Sequence, residues 1–273
     1  MQDFQGKVAV ITGAAGLLGR SLAEVLAGLG VSIVAADINE DQLIEIRKAV
    51  EARGSEALCV PTDVSDPHGM EALADAAYER FGQVNLLCLN AGLAVLKPFE
   101  ELTREDWTKV LSVQFGGVLN GVLAFLPRLI RQGGDRHIVN TSSMSGVGRA
   151  DLRLLNAPYV TAKFAVVGLT EVMAPALAPH GIGVSVLCPG MTVSEPEASR
   201  ATMPWRMPSA AWYQDNLLSG GQVAQEVVHG IRERRLYIFP HRLGRGEVEG
   251  RHAALMEGFA QAERTSPSLT SEG

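Results

Sequence analysis

Val8-Ala9-Val10-Ile11-Thr12-Gly13-Ala14-Ala15-Gly16-Leu17-Leu18-Gly19 stands near the start of this 273-residue chain. A short apolar, β-rich run gives way to three glycines at three-residue spacing and then to helical periodicity, which reads as strand, tight turn and helix. Gly13, Gly16 and Gly19 let the backbone approach a ligand at the helix N-terminus. There unpaired amides and the helix dipole favour an anion such as a pyrophosphate. Taken alone, the same glycines equally fit a turn that serves only strand-to-helix packing.

Working outward, β-rich apolar runs alternate with segments of three-to-four-residue apolar spacing along most of the chain. The expected strands are residues 7–12, 32–37, 57–60, 85–89, 137–141, 183–187 and 237–239. Such alternation predicts an α/β fold, a doubly wound parallel sheet of seven strands in three layers, as a single domain over residues 1–264. Asp66-Pro67 reads as an N-cap followed by proline at the first helical position, and Thr103 to Asp106 as a capping box. Residues 195–216, rich in Met, Trp and Pro, break the alternation and suggest a substrate lid. One more helix is expected over 247–264, and residues 265–273, with little to bury, are expected to form a mobile tail.

The composition, 47% apolar and 20% charged, is that of a folded soluble protein. A net charge of −6 leaves no basic footprint for nucleic acid, and Arg232-Glu233-Arg234-Arg235 reads as a solvated helix end. The first residues lack the pattern of a secretory signal, so the cytoplasm is the expected compartment. Only residues 110–127 raise the question of a membrane, and Ser112, Gln114 and Asn120 within them favour a buried helix or subunit interface. Cys59, Cys88 and Cys188 fall in apolar runs and read as reduced core thiols. The six histidines show no ligand spacing, so no metal is expected.

Asp37 ends the second expected strand, 24 residues after Gly13. A carboxylate there accepts from the adenosine ribose hydroxyls of a dinucleotide and repels a 2′-phosphate. With no Arg or Lys in the glycine turn, the cofactor expected is NAD and not NADP. Capping the following helix is the plainer role for Asp37. Asp63-Val64 and Asn90-Ala91-Gly92 follow the third and fourth strands, at the sheet edge where open parallel sheets bind ligands. Tyr159 and Lys163 lie four residues apart, on one helix face if the segment is helical. The ammonium then favours the ionised phenol, whose free pKa of about 10 makes it a poor base at neutral pH. Alone, such a pair is more often a surface contact. Ser142, Ser143 and Ser145 lie upstream as possible partners for a substrate oxygen.

Asn90-Ala91-Gly92, Ser143, Tyr159, Lys163 and Pro189-Gly190, in that order, resemble the short-chain dehydrogenase/reductase family over roughly the first 240 residues. The resemblance implies a Rossmann fold and hydride transfer between NAD and a secondary alcohol or ketone. It implies Tyr159 as acid/base, Ser143 as donor to the substrate oxygen, and Lys163 on the nicotinamide ribose. It also implies cofactor contacts from the turn Gly13 to Gly19, Leu17 and Leu18 included, from Asp63 and Val64 at the adenine, from Asn90, Ala91 and Gly92, from Pro189 and Gly190, and from Thr192 at the carboxamide. Three departures stand out. Leu17 occupies the place of the usual second glycine, a spacing closer to the extended branch of epimerases and dehydratases. Gln114 replaces an asparagine that positions a water near the lysine, and its added methylene displaces that water or reaches past it. About three extra residues separate Ser143 from Tyr159.

Leu93, Val95, Leu96, Phe99, Met144 and Met191, with Met203, Trp205, Met207, Trp212 and Tyr213 of the lid segment, suggest an apolar pocket for a bulky aromatic or alicyclic alcohol or ketone. The apolar helices expected over 107–129 and 159–178 resemble the family's subunit interface, which implies a homotetramer or dimer. Two other readings stand: an extended-type epimerase or dehydratase, suggested by the glycine spacing, and a noncatalytic dinucleotide sensor, suggested by Gln114.

Overall fold

The opening stretch folds as β1 (Val8–Thr12) and α1 (Leu17–Ala27). The computed structural model describes residues 1–148, 156–194, 217–241 and 244–265. After α1 come β2 (Ser32–Asp37), α2 (Glu40–Glu51), β3 (Ala57–Pro61), α3 (Pro67–Phe81) and β4 (Leu86–Leu89). Next, α4 (Arg104–Leu111) passes through a π turn at Ser112–Gly116 into α5 (Gly117–Gln132). The chain continues through β5 (Arg136–Thr141), α6 (Ala157–Leu177), β6 (Ile182–Leu187) and β7 (Thr192–Val193). It ends with β8 (Leu218–Ser219), α7 (Gly220–Arg232), β9 (Tyr237–Ile238) and α8 (Arg245–Thr265).

Seven strands form one sheet in the order β3-β2-β1-β4-β5-β6-β9. Every pairing is parallel. Winding outward from β1 to β3 and then crossing back to β4 puts the reversal of direction between β1 and β4. The flanking loops diverge there and leave a crevice at the carboxyl ends of the strands. This is the doubly wound Rossmann fold expected from the alternation.

Period-two burial splits β1 between the two layers of helices. Ala9 and Ile11 join Leu22 and Leu26 of α1 and Val223 and Val227 of α7. Val8 and Val10 join Met70 and Leu73 of α3, Phe125 of α5 and Val166 of α6. Local signals hold at the expected ends: the Asp66 side chain accepts from His68 N with Pro67 beginning α3, and Thr103 with Asp106 makes a capping box. The Arg232 to Arg235 run closes α7, where Arg235 pairs with Glu233 at 2.6 Å.

Two short strands were absent from the expected set. β7 and β8 pair in parallel as a separate ribbon, Thr192 beside Leu218 and Val193 beside Ser219. They bracket the expected lid, residues 195–216, which lies outside the described residues, as does the expected tail beyond 265. Burial pushes the Cys88 and Cys188 thiols up to about 12, so both stay protonated. Arg104–Gln132 and Ala157–His180 are each long and apolar enough to cross a membrane by length and composition. In this fold Phe125 and Val166 from these two segments pack into the core beneath the sheet.

Candidate active site

A cleft of about 710 Å³ opens at the carboxyl ends of the strands, over the β1/β4 reversal. Gly13, Gly16, Leu17 and Leu18 form one wall. Gly13 takes φ +65°, and a Cβ on it would sit 2.7 Å from Ala91 Cα; only glycine fits the handedness and the closeness together. Gly19 is buried beneath the turn, where a Cβ would stand 2.0 Å from Gly13 O. Gly16 is the N-cap of α1 and has no side chain to occupy the first amides of the helix. Those amides remain available to an anion in the cleft.

Asp37 ties this turn to β2. Its Oδ2 accepts from Ala15 N at 3.0 Å and its Oδ1 from Asn39 N at 3.1 Å, while the side chain lines the cleft. Capping the next helix falls instead to Asn39, which accepts from Gln42 N. Across the turn, Asn90 N donates to Thr12 Oγ1 at 2.9 Å and Asn90 Nδ2 to Thr12 O at 3.2 Å. Asn90 thereby fixes β4 to the end of β1, with Ala91 and Gly92 beside it in the cleft wall.

The opposite wall comes from β5, α6 and the segment after β6. The Ser143 hydroxyl hydrogen-bonds the Tyr159 phenol, and its oxygen accepts from Ser145 N at 3.1 Å. Ser142 is turned away: it is buried and donates to the Lys163 carbonyl at 2.8 Å. Geometry thus favours Ser143 among the three serines. Burial raises the Tyr159 pKa, opposed by the hydrogen bond from Ser143. Lys163 Nζ donates to Thr141 O at 2.7 Å and lies 5.4 Å from the centre of the Tyr159 ring. Complete burial holds its pKa down to about 7.

Gln114 sits in the π turn, a one-residue irregularity of the kind that often re-aims a side chain at a functional site. Its Nε2 donates to Leu93 O at 2.5 Å, and its Oε1 is buried with no partner among the described residues. A Cβ on Gly92 would meet that amide at 2.7 Å, so Gly92 is the space Gln114 occupies. Thr141 Oγ1 and Asn156 Oδ1, in two further cleft-lining residues, are likewise buried with no partner among the described residues.

Pro189, Gly190, Met191 and Thr192 close the cleft beyond β6. They are clamped by a residue the sequence reading did not single out. His241 accepts from Gly190 N at 2.9 Å through Nδ1, so its Nε2 carries the proton and donates to Met191 O at 2.9 Å. Burial lowers its pKa, which keeps the ring neutral and both bonds intact. A lone histidine after an edge strand gives no sequence signal for this role.

The structure therefore gathers Gly13, Gly16, Leu17, Leu18, Asp37, Asn90, Ala91, Gly92, Gln114, Ser143, Tyr159, Lys163, Pro189, Gly190 and Thr192 around one cleft. Asp63 and Val64 stand outside its lining. Asp63 Oδ1 accepts from Ser65 N and Ser65 Oγ at the entry to α3, and Val64 is buried where Gly117 lacks a side chain. Of the expected apolar set, Leu93, Met144 and Met191 line the cleft, while Leu96 and Phe99 are 71% exposed. The five lid residues, Met203 to Tyr213, lie outside the described residues.

The chain matches known proteins along most of its length. The family model for short chain dehydrogenases matches residues 7–204. A C alpha-dehydrogenase from Sphingobium sp. strain NBRC 103272 / SYK-6 is 30% identical over 96% of this chain and 90% of its own length. A short chain dehydrogenase/reductase from Burkholderia phymatum, solved in complex with NAD, superimposes with a TM-score of 0.83 at 36% identity, covering 94% of this chain and 97% of that one. The apo form of LigO from Sphingobium sp. strain SYK-6 matches over 100% of both chains, with a TM-score of 0.83 at 28% identity. The chain belongs to the short-chain dehydrogenase family, oxidoreductases that act on CH–OH groups.

Proposed function

We propose that this protein is an NAD-dependent dehydrogenase that moves hydride between nicotinamide and a bulky secondary alcohol or ketone, with Tyr159 as acid/base. The observation that carries the proposal is the convergence of the Ser143 hydroxyl, the Tyr159 phenol and the Lys163 ammonium on one wall of a cleft whose other wall is the glycine turn.

The residues present fit such a cofactor. Gly16 leaves the first amides of α1 for a pyrophosphate. The unpartnered Thr141 Oγ1 and Gln114 Oε1 leave polar atoms for a ligand to satisfy. Asp37 favours NAD: its carboxylate faces the cleft, and Lys163, deep at the other end, is the only basic side chain lining it among the described residues. A 2′-phosphate beside Asp37 would meet like charge and no counter-charge. The NAD held by the Burkholderia phymatum relative supports the same choice.

NAD supplies the hydride acceptor when bound. Tyr159 removes the hydroxyl proton of the alcohol at its phenolic oxygen, and Ser143 donates to the same substrate oxygen as charge develops on it. Lys163, fixed by Thr141 O, would hold the cofactor ribose. The Gln114 amide is drawn toward Leu93 O through Nε2, and its Oε1 is buried with no partner among the described residues. Leu93, Met144 and Met191 give the substrate an apolar wall. The exposed apolar side chains of α5 and α6 support assembly as a homotetramer.

The test is a panel of aromatic and alicyclic secondary alcohols and ketones assayed with NAD(H) and NADP(H). Turnover is expected with NAD(H), together with accumulation of free NADH during oxidation, which an epimerase that recycles its cofactor internally would not give. Tyr159→Phe is expected to lower kcat by about 10³-fold or more, in the range of a lost general acid/base, with the NADH Kd changed little. Activity confined to small polyols, or a Tyr159→Phe variant that still turns over, overturns the proposal.

A further inference from the structure

The cleft-lining residues 189–192 are held from two sides. On the side of the catalytic serine, Met144 N donates to Pro189 O at 3.0 Å. On the other stands His241, whose Nδ1 accepts from Gly190 N at 2.9 Å and whose Nε2 donates to Met191 O at 2.9 Å. The ring is 7% exposed and is not among the residues lining the cleft, so anything it does to a ligand passes through this backbone.

Its two bonds are not equally replaceable. Met191 O also accepts from Leu218 N at 3.3 Å, so it keeps a donor if the imidazole is lost. Gly190 N has no acceptor besides Nδ1 among the described residues. Without the ring that N–H is left unmade, which a folded chain avoids by turning the peptide toward another acceptor. Gly190 is able to turn, having no side chain, and the ring blocks it: a Cβ on Gly190 would stand 3.0 Å from His241 Cγ. The next residues share the displacement, because Thr192 Oγ1 lies 3.4 Å from Gly190 O. Three residues beyond His241, Gly244 leaves the space that the Met144 side chain fills, so the stretch after β9 braces Met144 as well as Met191.

We propose that His241 is a positioning residue: by holding Gly190 N it fixes residues 190–192 against the nicotinamide end of the dinucleotide. The adenosine and pyrophosphate end is held independently, by Asp37 and the glycine turn on the opposite wall. This rests on the NAD-dependent reading above and deepens it. Hydride transfer depends steeply on the placement of the reacting ring, so a loosened segment at that end costs rate and nicotinamide affinity together.

The experiment measures Kd for NADH and for ADP-ribose, which lacks the nicotinamide, by calorimetry in the wild type and in His241→Leu, His241→Asn and His241→Gln. It also measures kcat on the fastest secondary alcohol of the panel above. In His241→Leu the NADH Kd is expected to rise about tenfold, as for one lost hydrogen bond, with that of ADP-ribose unchanged. Its kcat is expected to fall by about 10–100-fold. Asparagine places its amide oxygen where Nδ1 lies and keeps an acceptor for Gly190 N, so His241→Asn is expected to restore the NADH Kd and most of kcat. Glutamine reaches toward Met191 O and offers nothing at Nδ1, so His241→Gln is expected to resemble His241→Leu. Unchanged NADH affinity and kcat in His241→Leu overturn the inference and leave the NAD-dependent reading standing. Equal losses of NADH and ADP-ribose affinity, the mark of general loosening, overturn it as well, and so does rescue by glutamine and not asparagine. A wild type that turns over no alcohol of the panel overturns the dehydrogenase reading, and the contrast between NADH and ADP-ribose then decides this one. Should His241→Leu fail to fold, the contrast between His241→Asn and His241→Gln decides.

Discussion

Lys163 is the residue whose environment does most to set the chemistry. Its Nζ is fully buried with Thr141 O as hydrogen-bond acceptor, and its pKa of about 7 follows from that burial. A cofactor hydroxyl that accepts from Nζ favours the ammonium, so the complex binds a proton more tightly than the free protein. The free protein loses this proton as pH rises through about 7, and the complex loses it only at higher pH. NADH affinity is therefore full below pH 7 and falls above it, by up to about tenfold per pH unit until the pKa of the complex is reached. Calorimetric titration in two buffers of different ionisation enthalpy at pH 8 is expected to show proton uptake, and Lys163→Met should abolish both the uptake and the pH slope. A flat affinity from pH 6.5 to 9 in the wild type would refute this coupling.

Between residue and fold, the glycine turn divides its labour in a way its regular spacing conceals. Gly19 is a packing position: a Cβ there meets Gly13 O at 2.0 Å and Ala14 Cα at 2.8 Å, all backbone atoms that cannot swing aside. Gly16 is less confined, with φ −71° and its nearest contact, Gly13 O, at 3.3 Å, and it is the ligand position of the proposed cofactor site. Gly19→Ala is expected to cost about 3 kcal/mol of stability, read as a lower urea midpoint at unchanged slope. Gly16→Ala should leave the midpoint within about 0.5 kcal/mol and weaken NADH binding instead. The reverse pattern would reassign the two glycines. The β7–β8 ribbon is the other informative element. Pairing Thr192 with Leu218 and Val193 with Ser219 sets the segments on either side of residues 195–216 in sequence next to each other, with Thr192 in the cleft lining.

At the scale of the whole molecule, the described residues that expose large apolar side chains include several on α5 and α6, besides Leu96, Phe99 and, on α8, Leu255, Met256 and Phe259. Leu123 and Ile130 of α5 are 60% and 37% exposed, and Val172 of α6 is 70% exposed, while their opposite faces pack beneath the sheet. Apolar surface of this kind is what a homo-oligomer buries. Light scattering on the purified protein is expected to give about four times the chain mass of 29.1 kDa. Val172→Glu should shift it to a smaller species while far-ultraviolet circular dichroism is unchanged. A monomer at micromolar concentration would count against the assembly.

The chain by itself determined its layers, its seven main strands and the identity of most cleft residues, because each rests on a short-range rule. Period-two and period-3.6 burial, caps at Asp66 and Thr103, and fixed spacing around Gly13, Tyr159 and Lys163 are all readable over a few residues. Tertiary structure alone decided what depends on contacts between distant segments. It turned Ser142 toward Lys163 O and left Ser143 for Tyr159, and it tied Asp63 to Ser65 at the entry to α3. It also set His241 against Gly190 and Met191, fifty residues away in sequence, and left the buried Asn156 Oδ1 with no donor among the described residues. Burial and hydrogen-bond partnership are properties of the folded assembly of segments, so no local pattern in the sequence could carry them.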